Sequence, residues 1–160
     1  MNTINIYNKK GFFAVLLLAV LALTLIFIAS ARNGEQSAAD SGRFTGVASD
    51  LLEKADIKSD SQSITKFVRK CAHFAEYFAL CLFLSLAVYF AKGSIKPTFL
   101  STVVCFAAAI IDEFLIQGNT AGRSPEWFDV LIDLCGAAAA QLITVLVISR
   151  VRKRKGNASG

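Results

Sequence analysis

Charge is what this chain has least of. Asp, Glu, Lys and Arg make up 18% of its 160 residues, against about 25% in soluble domains, which argues against a water-soluble globule. Proline occurs twice and histidine once. So few prolines leave long stretches free to run as uninterrupted helix. A single histidine excludes the H-E-x-x-H metalloprotease motif. The four cysteines, Cys71, Cys81, Cys105 and Cys135, form no C-x-x-C pair, which removes zinc-ribbon and thioredoxin-type readings. They read as reduced thiols packing as small hydrophobes. The chain also lacks a G-x-S-x-G element, a nucleotide-binding glycine motif and an internal repeat.

What is there is apolar: 54% hydrophobic residues and a mean hydropathy of +0.53. The apolar residues fall into four blocks, near 12–31, 71–91, 98–117 and 127–149. Each approaches the roughly 20 residues that cross a bilayer as a helix. The expectation is an all-α integral membrane protein with about four transmembrane helices. Ala29-Ser30-Ala31 resembles a signal-peptidase site. The uncharged run before it is longer than the roughly 7–15 residues of a signal core, so a retained first helix is expected. Lys92-Gly-Ser-Ile-Lys96-Pro97 marks a tight turn between the second and third helices.

Residues 32–70 are polar, with seven basic and six acidic side chains. Gly34 to Gly42 reads as loop, whereas Phe44, Val47, Leu51, Leu52 and Ala55 follow helical spacing and suit a surface helix. The domain plan is therefore a first helix over 1–31, a loop over 32–70, a three-helix core over 71–149 and a basic tail over 150–160. The net charge is +5. Lys9, Lys10, Lys92, Lys96, Arg150, Arg152, Lys153, Arg154 and Lys155 crowd short segments at helix ends, with no acid among them. That density places both termini in the cytoplasm by the positive-inside rule. It also makes membrane lipid the expected partner of the basic residues, not nucleic acid.

Six acids lie outside the 32–70 loop: Glu76, Asp112, Glu113, Glu126, Asp129 and Asp133. An ionised group in hydrocarbon costs several kcal/mol, so such residues face a protein interior and mark function. Glu76, Asp112 and Asp133 each fall five or six residues from the outer end of their helix, about 8–9 Å deep at 1.5 Å per residue. His73, Glu76, Tyr77 and Leu80 share one face of the second helix. Asp129, Asp133, Gly136, Ala137 and Ala140 share one face of the fourth, where small residues allow close backbone approach. Arg123, in the loop before the fourth helix, is placed to cap the acids. Trp127 and Tyr89 read as anchors at opposite interfaces.

Lys70-x-x-His73-Phe74-x-Glu76-Tyr77, Asp112-Glu113, Gly122-Arg123-Ser124 and Asp129-x-x-x-Asp133-x-x-Gly136, in this order and in this membrane context, resemble the VanZ-like family over residues 66–145. The resemblance implies a small bacterial membrane protein of the cell envelope, since the founding member is associated with low-level resistance to the glycopeptide teicoplanin. It implies no reaction. Its pattern puts a glutamine four residues after the Asp of the Asp-Glu pair. That position is Ile116 here, and Gln117 follows one later. Cys81 and Ala140 stand where the family has glycines.

Together these readings single out Lys70, His73, Glu76, Tyr77, Asp112, Glu113, Gln117, Arg123, Asp129 and Asp133. They fit three roles: an ion-pair network pinning helices, a site for a ligand such as a glycopeptide or envelope precursor, and acid–base chemistry on a lipid-linked substrate. Imidazole and carboxylates are also metal-ligand types, but spacing names no metal or cofactor. A transporter is disfavoured, because the sequence shows no polar path from the acids toward Lys92 and Lys96.

Overall fold

The computed structural model describes residues 9–32, 36, 39, 42, 46 and 60–157. Among these residues the regular secondary structure is all helix, and four helices are long and apolar enough to cross a membrane. They are α1 (Lys9–Ser30), α2 (Ser61–Lys92), α3 (Lys96–Asn119) and α4 (Trp127–Asn157). Of the surface helix expected around Phe44 to Ala55, only Gly46 is among the described residues, and it is helical. Within the stretch read as loop, Gln36, Ala39 and Gly42 are helical, in keeping with the good helix formers Glu35, Gln36, Ala38 and Ala39 around them.

Two helices are longer than their apolar blocks. The second block was expected to open at Cys71, but α2 starts ten residues earlier, at Ser61. Asp60 is its N-cap, its carboxylate accepting a hydrogen bond from the Ser63 N–H at 3.2 Å, which satisfies one of the orphan donors of the first turn. At the other end the sequence 150–157, read as a basic tail, continues α4 as helix. Lys and Arg are good helix formers, and cations suit a helix C-terminus.

α2 is the central element and packs against α1, α3 and α4. Its crossing with α4 depends on Gly136. A Cβ there would lie 2.2 Å from the Phe74 carbonyl oxygen and 3.2 Å from the Phe78 nitrogen. Ala137 and Ala140 are fully buried along the same seam. Cys81 is buried equally deeply on α2, so both positions that differ from the family's glycines keep a small side chain at a helix contact. Gly93 ends α2 in the left-handed region at φ 61°, its N–H bonded to the Tyr89 carbonyl at 2.8 Å. Pro97 then opens α3.

α3 is composite. An α-helical stretch Leu100–Ile110 passes into a π-helical turn, Ile111–Ile116, and ends in a 3-10 turn, Gln117–Asn119. The Gln117 N–H reaches both the Asp112 and the Glu113 carbonyls, which is how a π turn takes up one extra residue.

The sequence showed no polar path from the acids toward Lys92 and Lys96, yet polar side chains join the helices in that half of the bundle. Ser85 donates to Gln141 at 2.8 Å, Gln141 donates to Thr98 at 2.8 Å, and Thr98 donates to the Ile95 carbonyl at 2.6 Å. This chain joins α2, α4 and α3. Cys81 lies 3.8 Å from Ser85 and 3.9 Å from Thr102. Hydroxyl, amide and thiol groups carry no charge, and so the acidic pattern that guided the reading did not reveal them. Among the cysteines only Cys81 and Cys105 are buried, while Cys71 and Cys135 are exposed. Tyr89 is no free anchor: it is largely covered, with the Arg152 guanidinium 5.5 Å above its ring.

Candidate functional site

The ten residues singled out come from α2, α3, α4 and the loop between the last two, and they divide into three groups. The first is held by hydrogen bonds. Glu113 is buried, and Gln117 donates to its Oε2 at 2.7 Å while the Glu126 backbone N–H donates to its Oε1 at 2.7 Å. The Gln117 amide also donates to Asp112 Oδ2 at 3.1 Å, and its oxygen accepts from Arg123 Nη1 at 2.8 Å. Arg123 thus meets the acids through Gln117. Burial lowers the Arg123 pKa from its ordinary value, and the neighbouring Arg69 adds to this, against Asp112, Glu113 and Glu76. Arginine remains a cation regardless.

The π turn explains why Gln117 works one residue late. An added residue in a regular α-helix would rotate Gln117 by about 100° off the Asp112 face. Distributed through a π turn, the extra residue is absorbed locally and the amide returns to both carboxylates.

The second group is an ion cluster at the mouth of the bundle. Asp129 is buried and paired with the Lys70 ammonium, with Arg69 3.6 Å away. Lys70 also stands 4.0 Å from Glu126 and 5.0 Å from the centre of the Phe128 ring. The sequence singled out Lys70 and Asp129 but not Arg69. One helical turn of spacing from His73 was the available signal.

The third group lies deeper and is open in its hydrogen bonding. His73 and Asp133 are buried, with Nδ1 3.3 Å from Oδ1. The imidazole therefore faces Asp133 across the α2–α4 seam, not Glu76 on its own helix. Asp112 is buried and takes a second hydrogen bond on Oδ2, from the Ser30 hydroxyl at 2.9 Å. Ser30 brings α1 into the site, a contribution not foreseen because it ends an otherwise apolar run. Asp112 Oδ1, both Asp133 oxygens and the Tyr77 hydroxyl have no hydrogen-bond partner. Tyr77, placed here by its face of α2, is fully buried within electrostatic reach of Asp112, Asp133 and Glu76. Glu76 is half-buried beside them.

Chemically, the third group offers unfilled carboxylate acceptors, one phenol and one imidazole in a setting shielded from water. Among the described residues, no three His, Cys, Asp or Glu side chains converge closely enough to hold a metal ion.

No curated protein and no solved structure matches the chain. The model of the VanZ/LLP1 family does, over residues 13–148. That span is wider than the 66–145 over which the motifs were read, and it takes in α1 with its Ser30 contact to Asp112. With its helices, its motifs and this match over most of its length, the chain belongs to the VanZ/LLP1 family.

Proposed function

We propose that the chain is a cell-membrane protein of the bacterial envelope, and that the group around His73, Tyr77, Asp112 and Asp133 is its working site. It would open outward with both termini in the cytoplasm. There it would engage an outer-leaflet envelope component or a glycopeptide antibiotic and lower susceptibility to teicoplanin. The observation that carries this reading is the set of buried carboxylate and phenol oxygens left without partners. A purely structural network would be selected to satisfy such groups, since each unfilled one costs stability. Membership of the VanZ/LLP1 family supports the envelope setting.

The test is teicoplanin and vancomycin susceptibility of a sensitive Gram-positive host expressing the protein. Wild type should protect, and His73→Ala, Glu76→Gln and Arg123→Ala should not when present at equal membrane levels. A well-expressed wild type that gives no protection overturns the resistance reading.

A second reading, a membrane enzyme acting on a lipid-linked or envelope substrate, is favoured by one contact. His73 Nδ1 lies 3.3 Å from Asp133 Oδ1, the arrangement in which a carboxylate orients an imidazole for proton transfer. That reading expects His73→Gln to keep fold and ligand binding while abolishing turnover.

A further inference from the structure

Pairing off the groups already satisfied shows what the site lacks. Asp129 is neutralised by Lys70 and Arg69. Glu113 is filled by Gln117 and the Glu126 N–H. Gln117 is held in turn by Arg123. Neutral donors leave the Glu113 charge in place, so Glu76, Asp112, Glu113 and Asp133 remain, against the Arg123 cation and a single imidazole. His73 Nδ1 faces Asp133 Oδ1 at 3.3 Å, while Asp112 Oδ1, Asp133 Oδ2 and the Tyr77 hydroxyl are unfilled, on residues no more than 1% exposed. Negative charge outnumbers positive.

A bare metal ion would correct the charge, but it demands ligands converging on one point at about 2.0–2.6 Å. No such convergence exists among the described residues. A ligand with several donors spread over its own atoms has no such requirement. An ammonium group carries one positive charge and three N–H donors. In a shielded site each charge-assisted hydrogen bond it makes is strengthened. We infer that the cluster of Tyr77, Asp112 and Asp133 receives a primary ammonium group, carried by a small amine or a lipid headgroup with a neighbouring donor. This rests on the reading of the same cluster as the working site and names the chemical class that the site takes.

Ethanolamine is the probe, because its amine and hydroxyl sit two carbons apart. Ethylene glycol keeps the size and hydroxyls without the charge. Sodium chloride supplies charge without organic donors. The full chain in phosphatidylcholine nanodiscs should bind radiolabelled ethanolamine saturably, one per chain, with methylammonium competing and ethylene glycol and sodium not. The quaternary choline headgroup has no N–H to donate, so these discs leave the site open. Asp112→Asn and Asp133→Asn should each weaken binding by at least about tenfold, the factor carried by roughly 1.4 kcal/mol. Exchange into phosphatidylethanolamine discs assigns the source. Loss of free ethanolamine uptake there points to the lipid headgroup, and persistence points to a soluble amine; either supports the site. Equal competition by ethylene glycol, or no saturable binding to wild type, overturns the inference whatever the variants do. Antibiotic susceptibility is read separately. Amine binding without protection would sink the resistance reading alone, and protection without amine binding would sink this one alone.

Discussion

At the scale of single residues, Gly136 and Gln117 carry the most consequence. A methyl group at position 136 would have to occupy space 2.2 Å from a backbone oxygen of α2, and backbone cannot swing aside as a flexible side chain can. Gly136→Ala should therefore cost at least about 1–3 kcal/mol, the usual range for overpacking, read as a lowered unfolding midpoint of the purified protein. Gln117 links two carboxylates and a guanidinium. Gln117→Ala should cost about 1–3 kcal/mol by leaving charged partners unfilled. Gln117→Glu should cost more, because it sets a third carboxylate against Asp112 and Glu113. Thermal melts of the three proteins in one detergent would check the order. Much of this site was legible beforehand, because charged residues are conspicuous against apolar sequence. Ser30, Ser85, Thr98 and Gln141 were not, since an uncharged polar residue in a long helix carries no sign of whether it faces protein or lipid.

Among the elements, the apolar blocks marked all four helices but not where two of them end. Hydropathy reports what lies in hydrocarbon, whereas helix ends are set by hydrogen-bonding groups such as Asp60 and by helix propensity in charged segments. The π turn is the element that composition could not announce, and it makes a specific expectation. Deleting Leu115, which is 64% exposed, should turn Ile111–Ile116 into regular α-helix and leave the glutamine four residues after Asp112. Deleting Val104, in the α-helical part of the same span, should rotate everything beyond it by about 100° and separate Asp112 from Ser30. Membrane abundance and melting temperature should remain near wild type for the first deletion and collapse for the second.

For the whole molecule, an even number of crossings puts the two chain ends on one side. In the proposed orientation that side is the cytoplasm, where the positive-inside rule would hold the bases at Lys9, Lys92, Lys96 and Arg150–Arg154. A green fluorescent protein fused after Gly160 should therefore fluoresce, and alkaline phosphatase fused within the Gly122 loop should be active; the reverse pattern would invert the proposed orientation. With that orientation, the depth of Asp133, six residues into α4, acquires an electrical meaning. A point about 9 Å along a helix lies roughly a third of the way through a hydrocarbon layer of about 30 Å. A cation moving from the outer solution to Asp133 would thus cross part of the resting voltage. At about 2.3 kcal/mol per charge for each 100 mV of full crossing, occupancy would be favoured by roughly 0.7 kcal/mol per 100 mV, inside negative. An energised cell would hold the site fuller than a depolarised one, with no moving part required.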